Sequence, residues 1–273
     1  MSDFGNTGTL ADGTRVGVID LAQPLHPAIP VSPSHPGFKH ALLRRHGDAV
    51  RVDGTSGAND MLVLGTHTAT HMDALAHISH DGLLHGGVSA AEAQVGGRYL
   101  EHGIHTVDPI VAPGVLLDIP AVLGLDRLEA GYAVTPADLE AAAHRALGEA
   151  PVPAGAALLV RTGWAQLWDS SAAFLSHDGG VPGPNEAGAA WLAAQQPVVV
   201  GSDTTAFEHI PAGEGHARLP GHRILLVESG IPILEMLALE ELASLTPERF
   251  TFIAAPLRII GATGSPLRPL ALL

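Results

Sequence analysis

With 28 Asp and Glu against 14 Lys and Arg in 273 residues, the chain carries a net charge of -14, which repels phosphate backbones and anionic lipid surfaces and argues against nucleic-acid or membrane partners. The absence of cysteine excludes thiolate metal sites and disulfides and agrees with a reducing compartment. No apolar run approaches about 18 residues, and Met1 to Thr9 has neither a basic start nor an apolar core, so a cytoplasmic protein is expected.

The length allows a sizeable core and no linker divides it, so one domain over residues 1–273 is expected. In chain order, a first strand is predicted at residues 15–21. Residues 24–38 then carry five prolines and should form a stiff, irregular loop of the kind that walls active sites. A strand at 60–64 leads into a histidine-rich motif, and another is predicted at 114–119. Thr135 as N-cap, Pro136 at the first helical position and Asp138 in the first turn predict a helix to about Leu147. A strand at 156–161 precedes a helix capped by Asn185 and running to Ala194; strands at 197–202 and 222–227 follow. A helix opening near Pro232 and ending near Leu242, then a strand at 251–255, complete the chain. Short β-branched and leucine-rich runs alternating with a few alanine-rich helices indicate an α/β fold, a mixed twisted sheet with helices packed on it.

The motif is His67-Thr-Ala-Thr-His71-Met-Asp73-Ala-Leu-Ala-His77, four ligand or proton-shuttling side chains in eleven residues. On a helix His67 and His71 share a face but Asp73 and His77 swing away. In an extended chain all four have one parity and project from one face, and His71 and Asp73 sit about 7 Å apart. His67 and Asp73 would then be about 20 Å apart, so the backbone must fold back between Thr68 and Thr70 for one ion to meet them all. Imidazole and carboxylate together suit zinc, manganese or non-haem iron.

These residues resemble the cyclase family that includes bacterial kynurenine formamidase and isatin hydrolase. Its signature, His-x-Gly-Thr-His-x-Asp-x-Pro-x-His, stands here with Ala69 for the glycine and Leu75 for the proline. The resemblance continues through Asp20-Leu21, Ser79-His80-Asp81-Gly82, Gly114 to Asp118, Leu159 to Trp164, Gly201 to Thr204, His222 to Glu235 and Gly261 to Pro266. It implies His67, His71 and Asp73 as ligands, His77 as acid/base, and His222 with Glu235 as the distal half of the site. The interval from His222 to Glu235 is one residue longer than in the formamidase branch, which makes Glu228 an alternative ligand. The family position after the glutamate is often asparagine and is Met236 here. The resemblance further implies one or two zinc or manganese ions, a swivelling β/β/α-type fold and a homodimer or homotetramer.

The implied activity is metal-dependent hydrolysis of a non-peptide C–N bond in a small molecule: a formamide, a cyclic amide or a related lactone. A lyase-type closure of polyketide rings through enolate stabilisation is the alternative. In the formamidase branch a tryptophan in the proline-rich loop holds the aromatic substrate, but this chain reads Pro30-Val31-Ser32-Pro33-Ser34. Ser32 and Phe38 are therefore the substrate-contact candidates, with Trp164 or Trp168 as other aromatic walls. Asp203 reads equally as a support behind the ligands or as a turn residue, and Ser265 as a structural turn before a proton relay. His80 and His85 read as exposed loop residues. His102, His105, His144, His177, His209 and His216 are given no role beyond surface or hydrogen-bonded filler.

Overall fold

A computed structural model describes residues 6–32, 35–247 and 249–273. Pro33 and Ser34 of the proline-rich loop, and the first five residues of the leader reading, lie outside the described residues. The strands of three or more residues are β1 (Thr7–Thr9), β2 (Arg15–Asp20), β3 (Lys39–Arg44), β4 (Asn59–Val63), β5 (His71–Asp73), β6 (Ile110–Asp118), β7 (Ala157–Arg161), β8 (Val199–Ser202), β9 (Ile233–Glu235), β10 (Phe250–Ala254), β11 (Gly264–Pro266) and β12 (Leu270–Leu272). Ten of them form one mixed sheet in the order β1-β2-β12-β10-β6-β7-β8-β9-β5-β11. Its centre, β6 to β9, is parallel, and both flanks are antiparallel.

Strands β7, β8 and β9 are buried along their whole length, as expected of strands covered on both faces. Along β7, Ala157 and Leu159 enter one core with Ile19, Met72, Leu234 and Phe252. Leu158 and Val160 enter the other, with Leu139, Leu192, Leu225 and Ile233. Helices α1 (Pro136–Leu147) and α2 (Glu186–Ala194) cover this second face, and a short α3 (Glu240–Leu245) precedes β10. The starts of α1 and α2 are those the sequence predicts. Thr135 and Asp138 form a reciprocal capping box, and the Asn185 side chain accepts the Gly188 N–H at 2.8 Å.

Two predicted elements differ. Residues 222–227 are helical: one turn at Pro220–His222 runs into a wider π-helical stretch, Arg223–Ser229, that buries Ile224, Leu225 and Leu226. A short apolar run is buried equally well as helix or strand, and Pro220 at the first helical position decides the matter here. Conversely, the helix predicted from Pro232 is first a strand, β9, because Ile233 and Leu234 fill the opposed cores; helix resumes only at Glu240. The strand predicted at 60–64 exists as β4, but it pairs with β3 in a separate hairpin.

Asp203, at the end of β8, has a structural role that neither sequence reading anticipates. It accepts the Thr162 N–H at 2.9 Å, the Thr162 hydroxyl at 2.7 Å and the Gly163 N–H at 2.8 Å, clamping the turn after β7. Burial pushes its carboxyl up to about 6 against the hydrogen bonds from Thr162 that favour the anion. Asp203→Ala is expected to cost about 3–5 kcal/mol in urea unfolding, since two buried N–H groups and a hydroxyl lose their acceptor. The folded carboxyl holds its proton more tightly than the unfolded one, so its contribution is greatest below pH 3.8 and declines as pH rises through about 6. The difference between variant and parent should therefore be larger at pH 4 than at pH 7.

Candidate metal centre

The motif folds back where parity requires it. Ala69 occupies the left-handed region at φ 51°, the conformation that the signature's glycine adopts without cost. Beyond this bend, β5 lies between β9 and β11. The antiparallel register sets Glu235 opposite His71 and Ile233 opposite Asp73. His71, Asp73 and Glu235 consequently share one face, while Met72 points into the core behind them. Gly264, opposite Asp73, gives His67 its room: a Cβ there would lie 2.7 Å from the His67 ring and 2.8 Å from the Met72 carbonyl. His77 is placed by a turn, its N–H bonded to Ala74 O at 2.9 Å, and not by strand parity. The helical turn at residue 222, in the crossover from β8 to β9, closes the site from the other side.

Asp73 is central to the arrangement. Its Oδ1 lies 2.6 Å from His67 Nδ1 and 3.3 Å from His71 Nε2. Its Oδ2 is buried without a hydrogen-bond partner and lies 3.5 Å from His222 Nε2. Glu235 stands 3.4 Å from His71 Nε2 and 3.3 Å from His222 Nε2. Each imidazole is oriented from behind. His71 Nδ1 donates to Ala69 O at 2.7 Å, and His222 Nδ1 lies 2.7 Å from Glu208 Oε1, so both Nε2 atoms are turned inward. Glu228, the alternative ligand, is exposed and pairs with Arg223.

Charge balance at the site favours a cation. Burial opposes charge on His71, but its interactions with Asp73 and then Glu235 prevail and raise it to about 9. His222 is likewise raised, against burial, by Asp73, Glu208 and Glu235. Burial also opposes ionisation of Asp73, yet His77, His67 and His222 hold it well below the usual carboxylate range. Protons on imidazole thus occupy the electrostatic place that a metal ion would take by displacing them. The orphaned Asp73 oxygen and the inward Nε2 atoms suit a divalent ion bound by nitrogen and oxygen. Two sets could hold one: His67, Asp73 and His77, or His71, Asp73 and Glu235, with ligand atoms within 4.8 Å of one another in each.

A cavity of about 60 Å³ opens onto these groups, lined also by Ser32, His35, Thr205, His216 and Met236. It shares Ser32, Thr205 and His216 with an adjoining cavity of about 270 Å³. Ser32 thus faces the site as expected, but Phe38 does not. Phe38 packs with Ala69, Trp164, Trp168 and Phe174 in an apolar cluster. The two tryptophans are core residues, not cavity walls. Ser265 is a buried residue of strand β11, not of a turn: its hydroxyl donates to Pro266 O and accepts the Leu257 N–H. His85, read as an exposed loop residue, instead ties its loop to Val227 O at 2.9 Å.

Sequence reasoning missed Glu208, His35, Thr205 and His216. Glu208 is buried and accepts from Gly221 N at 2.7 Å and His222 N at 2.8 Å as well as facing His222 Nδ1. No spacing signal connects it to the motif 135 residues earlier. Glu208→Gln is expected to weaken metal binding about 10–100-fold in chelator competition, since a neutral amide supports the His222 imidazole less well. Unchanged affinity would restrict Glu208 to holding the backbone.

Met236 adopts φ 55°, a region that asparagine tolerates better than methionine. Its carbonyl accepts the Thr70 hydroxyl at 2.6 Å and its N–H reaches Thr204 O at 3.0 Å, which hold this conformation in place.

The family model for cyclases matches residues 19–209, most of the chain. The chain belongs to the cyclase family. It is 27% identical to a kynurenine formamidase of Sphingopyxis alaskensis over 91% of this chain and 94% of that protein. It is 27% identical to an isatin hydrolase of Roseibium aggregatum over 94% of this chain and 92% of that protein. Among solved structures it is similar to a novel cyclase, with a TM-score of 0.82 at 29% identity, covering 93% of this chain and 87% of that one. Isatin hydrolase A of Ralstonia solanacearum gives 0.72 at 30%, covering 94% and 92%. These cyclase-family neighbours share the mixed α/β architecture described above. No helix among the described residues is long and apolar enough to cross a membrane.

Proposed function

We propose that this cyclase-family chain is a metal-dependent hydrolase of a non-peptide C–N bond in a formamide, cyclic amide or related lactone. The observation that carries the reading is the position of His77 beside the candidate ligands. Its ring centroid lies 4.0 Å from that of His67 and 6.0 Å from that of His222, and it lines the same cavity. The names of the formamidase and isatin hydrolase relatives support the same class of bond.

His67, His71, Asp73, His222 and Glu235 would hold one or two ions, zinc or manganese. When bound, such an ion lowers the pKa of a coordinated water from 15.7 towards about 7 and polarises a carbonyl. Burial, reinforced by the neighbouring imidazoles and opposed by Asp73, pushes His77 down to about 3, so its imidazole is neutral near pH 7. A neutral ring nitrogen accepts the proton of the attacking water and returns it to the leaving nitrogen or oxygen. Ser32 and His216 flank the passage into the larger cavity, where the body of the substrate would lie.

Turnover of N-formylkynurenine, isatin or one of a set of lactams, with zinc or manganese added, is the expected result. Inertness across that panel, with metal confirmed bound, would favour instead enolate-type ring closure or a metal-holding fold without turnover.

A further inference from the structure

The cavity of about 270 Å³ that continues from the metal centre has a lining of one chemical character. Its polar side chains among the described residues are Ser32, Ser176, His177, Thr205 and His216, which offer three hydroxyls and two imidazoles. Every one of them can donate a hydrogen bond, since a neutral imidazole carries one N–H whichever nitrogen holds it. No carboxylate is among these lining residues, although the chain has 28 Asp and Glu. Leu175, Val181 and Ile210 supply the apolar surface, and the lining includes no phenyl, phenol or indole ring on which an aryl group could stack.

Most of that donor capacity is unspent within the protein. The side chains of Ser176, His177, Thr205 and His216 have no hydrogen-bond partner among the described residues. Thr205 matters most, because it is only 8% exposed and borders both this cavity and the metal centre. A buried hydroxyl is ordinarily hydrogen-bonded, so one left open at a cavity wall marks where a ligand group is received. His216 stands at a junction, lining both of those cavities and a third of about 750 Å³. Glu186, Glu208 and Glu214 line that third space, where they would repel an anionic group. An acceptor therefore belongs on the Thr205 side of His216.

We propose that Thr205 and His216 bind an acceptor group, of which a carboxylate is the strongest, on a small aliphatic substrate whose reacting bond lies at the metal centre. The inference rests on the hydrolase reading for that bond and narrows its substrate class to a compact amide, lactam or lactone with an acceptor on a saturated body. The acceptor receives the Thr205 O–H and a His216 N–H. The saturated body lies against Leu175, Val181 and Ile210.

Calorimetric titration of the full chain loaded with zinc, using pyroglutamate, pyrrolidinone and isatin as probes, tests this. Pyroglutamate and pyrrolidinone share one lactam ring and differ by the carboxylate, while isatin adds an aryl ring. Pyroglutamate is expected to bind at least about tenfold more tightly than either of the others, the equivalent of one charge-assisted hydrogen bond. Thr205→Val and His216→Leu should each bring the ratio of pyroglutamate to pyrrolidinone affinity towards one, whereas Thr205→Ser and His216→Gln, which keep a donor, retain it. Equal affinities in the parent, or tighter binding of isatin, overturn the proposal. So does a ratio that survives both Thr205→Val and His216→Leu, which would assign the carboxylate to the metal ion itself. Turnover is read separately in the same samples. The ratio without hydrolysis of any formamide or lactam bears out the acceptor site and counts against the hydrolase reading, while hydrolysis without the ratio overturns this inference alone.

Discussion

Asp73→Asn is expected to leave the protein folded but without bound metal after dialysis, and to lower turnover by at least about 1000-fold. The size of the effect follows from the number of groups that meet at this carboxylate. Oδ1 lies within 3.3 Å of nitrogens from His67 and His71, and Oδ2 faces His222 without a hydrogen bond. Asparagine preserves the shape and removes the charge, leaving several imidazoles around a neutral amide. His71 and His222 would then lose much of the attraction that raises them, and the set would no longer present the anion that a divalent ion requires. Metal content and activity should therefore fall together. A variant that kept its metal would show that Glu235 and the histidines suffice.

His77→Ala should separate the two. Metal content is expected to match the parent, while kcat falls about 100- to 10,000-fold, the range for removal of a general acid/base. Added imidazole should restore part of the rate by entering the space vacated by the ring. The outcome is informative because His77 also belongs to one of the sets that could hold an ion, with His67 and Asp73. Loss of metal from this variant would make His77 a ligand and move the proton-transfer role elsewhere.

Part of this site was legible in the sequence because of local geometry. Strand parity and the length of an extended residue require a reversal near Ala69, and the backbone turns there through a left-handed residue. Caps at Thr135 and Asn185 fixed two helix starts for the same reason: each depends on a side chain and a backbone N–H three residues apart. The distal residues are another matter. Glu235 meets His71 only through sheet register, and His222 arrives on a crossover helix, so resemblance to a family was the sole route to them. Glu208 had no signal at all, since its role lies in accepting hydrogen bonds from a turn 13 and 14 residues away. The run from Ile224 to Leu226 was misread because burial selects apolar residues without selecting helix over strand. Phe38 misled for a related reason: an aromatic residue in a loop near a site can as easily be the loop's own core.

The central claim is that these buried carboxylates and imidazoles hold a divalent ion on which hydrolysis depends. Elemental analysis of protein purified without added metal, joined to activity before and after chelation and after readdition of zinc or manganese, tests it most directly. One or two ions per chain are expected, with activity lost on chelation and restored on readdition. Full hydrolytic activity in protein shown to be free of metal would contradict it.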